Sequence, residues 1–266
     1  MDVQEYELVK REVLRLTGID LNAYKSTQMQ RRLGTFLARS GHSDWRSYFQ
    51  AIRGDAAQIA KLKDSLTINV SAFLRDPEKF HYLQERLLPQ LLHDRPTLRV
   101  WSAGCSRGHE PYTLAMILNR MTGPHRNHYI LATDVDAAAL AAARAGGPYP
   151  PEEVANLPPT WLSTYLEPAP GGYRVVEWLR RQVTFREQNL LADRFETGFD
   201  LIVCRNVVIY FTTEVKQELY RRLGESLRPG GILFVGGTEI ISRATELGYE
   251  TAGITFYRRR NGTERT

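Results

Sequence analysis

The residues best suited to chemistry follow a short apolar run that begins at Leu98. That run ends in a turn of small residues at 103–108 (AGCSRG), and a helical pattern follows directly. Gly104 and Gly108 allow positive φ angles and a close approach to the backbone. A strand, a glycine turn and a helix together present backbone N–H groups to a ligand. The turn alone is a weak nucleotide signal, because Ser106 replaces the second glycine of the dinucleotide pattern.

Acidic residues end the next apolar run, YILATD at 129–134. Asp134 is placed to accept hydrogen bonds from the hydroxyl groups of a ribose. Asp136 has two interpretations, which both stay open: it contacts the ligand, or it caps the alanine-rich helix predicted at 137–145. The sequence therefore predicts a ribose-binding carboxylate at Asp134.

Asparagines follow two further apolar runs. Asn206 comes after FDLIVC at 199–204, and Asn189 with Leu190 comes after a run that ends near 187. Ligands of open α/β sheets bind beyond the carboxyl ends of the strands, where these residues are expected. One asparagine after a strand is usually a turn former, so the prediction depends on both occurring together with Asp134.

These residues need a sheet to position them, and the chain from about residue 97 predicts one. LRVWSA, HYILATD, FDLIVC and GILFVG are short apolar runs that alternate with helical patterns, which predicts an α/β fold with a parallel, Rossmann-like sheet. GITFYRRR near the end predicts one more strand. The proline-rich segment 147–186 predicts an insertion with its own small antiparallel sheet.

The N-terminal part predicts an all-α domain. Amphipathic patterns indicate a first helix that ends at Gly18, a second over about 27–39, and two more at 44–53 and 56–66. The predicted division is a helical domain at 1–70, a linker at 71–96 and the α/β domain at 97–266. The polar face of the second helix carries four basic residues: Lys25, Arg31, Arg32 and Arg39.

Composition indicates an ordinary globular protein. The chain has 266 residues, of which 42% are hydrophobic and 24% charged. No apolar run reaches the ~18–20 residues that span a bilayer, and no signal-peptide pattern begins the chain. Cys105 and Cys204 have no CxxC or Cys/His neighbours, so we expect no metal site, no disulfide framework and a cytoplasmic location. The net charge of +5 indicates an acidic partner or merely a solvated basic surface.

Over most of its length the chain resembles the CheR-type chemoreceptor glutamate O-methyltransferases, which use S-adenosyl-L-methionine. Several motifs occur in the same order as in that family, and the set is far more specific than any one of them. The matching segments are the Arg31-Arg32 pair, TINVSAFLRD at 67–76, VWSAGCSRGHEPYTLAM at 100–116, ATDVD at 132–136, QNLL at 188–191, CRNVVIYF at 204–211, and RPGG before LFVGGTE.

The resemblance implies roles for the matching residues. Asn69, Ser71 and Arg75 would bind the methionine end of the cofactor, Glu110 its amino group and Asp134 its ribose. The rest of the expected cofactor set is Gly104, Asn189, Leu190, Asn206 and Val207. The expected product is S-adenosyl-L-homocysteine.

Positioning roles in catalysis are expected for Arg75 and Tyr210. Arg205 is either another orienting group or the structural partner of a carboxylate. His109 stands where the family usually has a glutamate, and we expect a solvent-facing or capping side chain with no role. Ser71 replaces a common threonine and Leu74 a common phenylalanine.

The resemblance also implies partners. The methylation helices of transmembrane chemoreceptors would contact Lys25, Arg31, Arg32 and Arg39. The insertion at 147–186 resembles a β-subdomain that docks a receptor C-terminal peptide in some members. We expect a monomer that binds no nucleic acid and does not insert into membranes.

The expected reaction needs no general base, because a free glutamate with a pKa of about 4.3 is already a carboxylate at neutral pH. Two alternatives remain. A nucleic-acid methyltransferase would suit the positive charge, but Val207 and Val208 follow Asn206 where a Pro-Pro-aromatic turn is expected. A regulator that binds the cofactor without transfer is the second, since a fold does not fix function.

Overall fold

A computed structural model describes residues 1–67 and 71–261, which form two compact units. The smaller unit runs from Met1 to the gap and also includes Tyr210–Lys216. The larger unit holds the other described residues. The sequence patterns did not predict that Tyr210–Lys216, which follows a strand of the α/β domain, would group with the helical unit.

The smaller unit is built from four helices. They are α1 (Val3–Thr17), α2 (Ser26–Arg39), α3 (Trp45–Ala51) and α4 (Ala56–Leu66), with a 3₁₀ turn at Leu21–Ala23. Gly18 ends α1 with φ of 73°, as predicted, because glycine adopts the left-handed region without a Cβ clash. Val9, Leu33 and Leu62 have no exposed surface, so the apolar faces of the helices form one core.

The larger unit contains a seven-stranded sheet in the order β5-β2-β1-β6-β7-β9-β8. The five strands from β5 to β7 are parallel, as predicted, whereas β9 runs antiparallel to β7 and β8 antiparallel to β9. The strand β8 was not predicted. The strands are β1 (Arg99–Ala103), β2 (Tyr129–Asp134), β5 (Val183–Glu187), β6 (Phe199–Cys204), β7 (Leu227–Val235), β8 (Tyr249–Gly253) and β9 (Phe256–Arg259).

Helices accompany these strands along the chain. Every residue of β6 is buried, as expected for a central strand covered on both faces. The helical segments are α5 (Pro77–Tyr82), a π-helical turn (Leu83–Leu87), α6 (Leu88–Asp94), α7 (His109–Thr122), α8 (Ala137–Ala145), α9 (Pro151–Val154), α10 (Pro159–Tyr165), α11 (Glu177–Arg180), a 3₁₀ turn (Val208–Tyr210) and α12 (Thr213–Ser226). The predicted linker 71–96 therefore consists largely of helix, with α5, the π turn and α6 following one another.

The predicted insertion contains a small antiparallel sheet, formed by β3 (Leu166–Ala169) and β4 (Gly172–Val175). The expected range 147–186 also reached into β5. Because β5 pairs in parallel with β2, residues 183–186 belong to the large sheet and not to the small one, which corrects the prediction at that end.

The order of the strands indicates where a ligand would bind. The chain leaves β1 toward β2 on one side, and later returns from β5 to β6 on the other side of β1. Crevices form at such a switch point, beyond the carboxyl end of the strand.

In the described part of the chain, no helix is long and apolar enough to cross a bilayer, and no cluster of three metal-binding side chains occurs.

Candidate functional site

Unusual backbone conformations are concentrated near the carboxyl end of β1. In residues 1–67 and 71–261, six non-glycine residues have positive φ, and four of them lie in the segments singled out by the sequence. These four are Leu74, Asp76, Ser106 and Asn206. Each such conformation costs about 1–3 kcal/mol, and strain of this kind clusters at functional sites.

The glycine turn follows β1 and contacts the loop after β6. The N–H groups of Gly104 and Cys105 both donate to the carbonyl of Thr133, at 2.8 and 2.9 Å. Gly104 has φ of 85°, and a Cβ there would overlap Cγ2 of Val207. Gly104 therefore lets Val207 pack directly on the turn, which brings two predicted cofactor residues together.

Asp134 joins the turn to the end of β2. Its Oδ2 accepts from the N–H of Ser106 at 2.7 Å, and its Oδ1 accepts from the N–H of Asp136 at 2.9 Å. Burial raises the pKa of Asp134, although its backbone hydrogen bonds oppose the rise. A carboxylate has about four lone-pair sites, so acceptor capacity remains for the hydroxyls of a ribose.

Asp136 caps α8. Its Oδ1 accepts from the N–H groups of Ala138 and Ala139, at 2.9 and 3.0 Å. Of the two interpretations that the sequence left open, helix capping is confirmed.

Glu110 lies in the first turn of α7, beside Arg205. Its Oε1 accepts from the hydroxyl of Ser102 at 2.7 Å, and its Oε2 lies 3.6 Å from Nη1 of Arg205. Burial raises the pKa of Glu110, and the charge of Arg205 opposes that rise. A buried carboxylate at this edge of the sheet is chemically suited to an amino group.

Arg205 is paired with carboxylates, as its structural interpretation predicted. Its side chain is 3% exposed, forms an ion pair with Asp76 and donates to the carbonyl of Arg75 at 2.9 Å. Its guanidinium also lies against the rings of Phe80 and Phe234. Arg205 therefore connects the start of α5 to Glu110.

The segment before α5 is only partly described. Ser71 and Arg75 are both half-buried, and Asn69 lies outside the described residues. Leu74 donates its N–H to Oγ1 of Thr113 at 3.2 Å, so the segment is bonded to α7. The cofactor roles of Ser71, Arg75 and Asn69 stay predictions.

Glu239 is a site residue that the sequence patterns did not single out. It is 4% exposed, and its carboxylate accepts from the N–H groups of Asn206, Val208 and Gly236 at 3.0, 3.1 and 2.6 Å. Burial raises its pKa. It fixes the loop that supplies Asn206 and Val207. Its position just after β7, at the same edge of the sheet, was the signal that could have found it.

The segment after β5 lies next to Asp134, because the N–H of Gln188 donates to the carbonyl of Asp134 at 2.9 Å. Oδ1 of Asn189 accepts from the N–H of Leu191 at 2.9 Å, which is the geometry of a turn former. Leu190 is buried. The structure therefore brings this segment to the site, and contact of Asn189 and Leu190 with the cofactor stays a prediction.

His109 is fully buried, so the prediction of a solvent-facing or merely capping side chain was wrong. Its Nε2 lies 2.7 Å from Oε2 of Glu153, and its ring packs against Phe73 and Tyr149 at centroid distances of 5.1 and 4.6 Å. The partner is 44 residues away in the sequence, which is why the local pattern did not reveal it.

The predicted substrate residues line a groove in the smaller unit, with a volume of about 470 Å³. Lys25, Arg31 and Arg39 are exposed. Arg32 differs, because it donates to the carbonyls of Leu66 and Thr67 at 3.1 and 2.8 Å and so caps α4. The lining residues are Tyr24, Lys25, Gln28, Met29, Arg31, Arg32, Thr35, Phe36, Arg39, Ser65 and Tyr210.

Tyr210 was expected to orient groups in catalysis. The structure groups it with the basic residues of the smaller unit, where its carbonyl accepts from the N–H of Lys25 at 2.9 Å. Its predicted role in positioning stays a prediction.

Comparison with known proteins is consistent with this geometry. Residues 69–256 match the CheR methyltransferase SAM binding domain, and residues 4–67 match the CheR methyltransferase all-alpha domain. The chain is 40% identical to the chemotaxis protein methyltransferase of Listeria monocytogenes, over 96% of this chain and 97% of the relative. It is 35% identical to chemotaxis protein methyltransferase 2 of Pseudomonas aeruginosa, over 96% of this chain and 92% of the relative.

The residues present fit the cofactor of that family. Gly104 lets Val207 pack against the turn, and Asp134 and Glu110 supply acceptors for hydroxyl and amino groups. Ser106 in place of glycine is no obstacle, because S-adenosylmethionine has no pyrophosphate. The chain therefore belongs to the CheR methyltransferase family and is an S-adenosylmethionine-dependent methyltransferase.

Proposed function

We propose that the chain methylates glutamate side chains of chemoreceptors, forming glutamate methyl esters and S-adenosyl-L-homocysteine. The names of its relatives support a role in chemotaxis. The observation that carries the proposal is the basic groove of the smaller unit, because it fits an acidic, amphipathic receptor helix. The identity of the methyl acceptor, a glutamate side chain of a chemoreceptor, is the part of this function that we propose.

The groove combines unpaired charge with apolar surface. In the described residues, Lys25, Arg31 and Arg39 form no ion pair, while the apolar side chains of Met29 and Phe36 line the same groove. A helix with glutamates beside apolar residues is complementary to such a surface. Its attraction to the groove would act at long range and weaken with salt.

The chemistry requires orientation more than proton transfer. When bound, S-adenosylmethionine supplies an electrophilic methyl group on a sulfonium. The substrate carboxylate is already ionised, so the O–CH₃ bond forms as the S–CH₃ bond breaks and no proton moves. Asp134, Glu110 and the loop fixed by Glu239 are proposed to bind and orient the cofactor, which is where a gain from positioning arises.

Receptor fragments incubated with the chain and methyl-labelled S-adenosylmethionine are expected to acquire label that mild alkali releases as methanol. Esters hydrolyse under these conditions, whereas methylated amines and bases do not. Alkali-stable label would identify a different acceptor, such as a nucleic acid if one is supplied. Cofactor binding without any methyl transfer would instead indicate a non-catalytic regulator that binds the cofactor.

Reversing the charge of one groove residue should separate receptor binding from cofactor binding. Arg31→Glu is expected to slow receptor methylation about tenfold or more at low salt, because electrostatic steering is lost. Cofactor affinity by calorimetry should be unchanged. Arg32→Glu is unsuitable, since it would also remove the cap of α4.

The matched control is Arg46→Glu, which makes the same change at an exposed position of α3 that does not line the groove. It should methylate receptors at the rate of the unchanged chain. Equal rates for Arg31→Glu and Arg46→Glu would show that the groove does not bind the receptor.

The peptide partner, the location and the oligomeric state are proposals as well. We propose the inserted segment, which contains the small sheet of β3 and β4, as the docking site of a receptor C-terminal peptide. Cys105 and Cys204 are both buried free thiols, which supports a reducing cytoplasm. A monomer is the proposed state.

A further inference from the structure

Glu153, in α9 of the inserted segment, contacts two separate parts of the cofactor site. Its Oε1 lies 2.7 Å from Nη1 of Arg107, and its Oε2 lies 2.7 Å from Nε2 of His109. Its backbone carbonyl accepts from the N–H of Phe73 at 2.9 Å. One residue therefore bonds both the glycine turn and the segment that contains Ser71 and Arg75.

The electrostatics favour an ionised Glu153 beside a neutral His109. Burial by itself would raise the pKa of Glu153, but the hydrogen bond from His109 and the charge and hydrogen bond of Arg107 outweigh it, so that the pKa is lowered. Burial lowers the pKa of His109, although Glu153 opposes this. The neutral imidazole therefore carries its proton on Nε2 and donates it to the carboxylate.

The glycine turn depends on such outside bonds. Ser106 has φ of 47°, which is unfavourable for a residue with a Cβ. The hydroxyl of Tyr149 donates to the carbonyl of Arg107 at 2.7 Å, and Arg107 donates to the carbonyl of Pro148 at 3.3 Å. Pro148, Tyr149 and Glu153 therefore all bond the turn through Arg107.

His109 connects Glu153 to Glu110, the next residue of the chain. It begins α7, and Glu110 follows it with its carboxylate bonded to Ser102. The His109 ring is fully buried and packs against both Phe73 and Tyr149, so we expect a change in its position to shift the start of the helix.

We propose that Glu153 is a positioning residue for cofactor binding, which preorganises the glycine turn and Glu110 through Arg107 and His109. Without its carboxylate, the turn relaxes away from the strained Ser106 conformation. Cofactor binding must then restore that conformation, and affinity falls. His109 supplies the second hydrogen bond to the carboxylate of Glu153.

The test is cofactor binding to the full chain, measured by calorimetry with S-adenosylmethionine and S-adenosylhomocysteine. Glu153→Gln is expected to bind both about tenfold or more weakly, since a hydrogen-bonded charge is lost. In methylation assays, KM for the cofactor should rise while kcat at saturating cofactor stays near its original value. Because binding needs no receptor, this outcome is independent of the proposed substrate.

Glu152→Gln is the matched control, since it makes the same change at the preceding, exposed residue of α9. It should leave affinity and KM unchanged. A role confined to folding would lower the melting temperature of Glu153→Gln and leave the cofactor affinity of the folded chain unaltered, which would overturn the proposal.

Two further variants keep the test decisive if Glu153→Gln does not fold. Arg107→Met removes one partner of Glu153 at a half-buried position and should weaken cofactor binding several-fold. His109→Glu should bind weakly, because two carboxylates then face each other, and adding Glu153→Gln to it should restore part of the affinity. Unchanged affinity for Arg107→Met, or no restoration in the double variant, would contradict the proposal.

Discussion

Asp134→Asn is expected to weaken S-adenosylmethionine binding by between about 10-fold and 100-fold. Hydrogen bonds to a charged group contribute about 1.5–3 kcal/mol each, and about 1.4 kcal/mol is tenfold in affinity. The amide also directs an NH₂ group at a backbone N–H, because Oδ1 and Oδ2 already accept from Asp136 and Ser106. The variant therefore loses ribose contacts and loosens the glycine turn.

Asp136→Asn is the control for this prediction, as it makes the same change two residues away. Asparagine caps helices about as well as aspartate, so the start of α8 should be preserved. Calorimetry with the cofactor should show unchanged affinity for Asp136→Asn. If Asp134→Asn also binds normally, Asp134 does not bind the ribose.

The pH dependence of binding supplies a second readout. Burial raises the pKa of Asp134, so its carboxylate is lost at a higher pH than that of an exposed aspartate. Cofactor affinity should therefore have its full value above that raised pKa and decrease as the pH falls through it. Asp134→Asn should show a shallower decrease, which comes from Glu110, whose pKa burial also raises.

Elements with a local signal could be predicted from the sequence. The glycine turn, Asp134 and Asn206 each follow an apolar run, and parallel strands bring their carboxyl ends to one edge. The predicted helix 137–145 agrees with α8, because Asp136 and Gly146 supply a cap at each end within ten residues. In such cases the deciding interactions lie close together in the chain.

Interactions between distant residues could not be predicted. His109 bonds to Glu153, which lies 44 residues away in the sequence, and Arg32 bonds to Thr67, which lies 35 residues away. The sequence pattern around His109 or Arg32 therefore does not reveal the partner. The sequence analysis predicted the same substrate-binding role for Arg32 as for Arg31. The structure shows in addition that Arg32 caps α4. The antiparallel pairing of β9 with β7 was missed for the same reason, because it joins Ile232 to Arg258. The strand β8 pairs with β9 in a local hairpin, and the sequence analysis missed that hairpin although its two strands are close in the chain.

Arg205→Met is expected to lower the free energy of unfolding by about 3–5 kcal/mol, the usual cost of removing one partner of a buried ion pair. Arg205 is 3% exposed and lies between Asp76 and Glu110, which are 45% and 13% exposed. Methionine fills part of the space against Phe80 and Phe234. The deficit therefore comes mainly from leaving the charge of Glu110 buried without a partner.

Arg221→Met is the matched control, because Arg221 also pairs with two carboxylates but lies 47% exposed on α12. Exposed ion pairs contribute about 0–1 kcal/mol, so denaturant unfolding should show a much smaller loss. Similar losses for the two variants would mean that the ion pair of Arg205 contributes no more than a surface pair.

The loss in Arg205→Met should also depend on pH and on Glu110. Burial already raises the pKa of Glu110 against the opposing charge of Arg205, so removing Arg205 must raise it further. Protonation then relieves the unpaired charge, and the deficit should shrink as the pH falls through that raised pKa. Adding Glu110→Gln should recover part of the stability at neutral pH. A deficit that is independent of pH and of Glu110 would assign the effect to packing against the two phenylalanine rings.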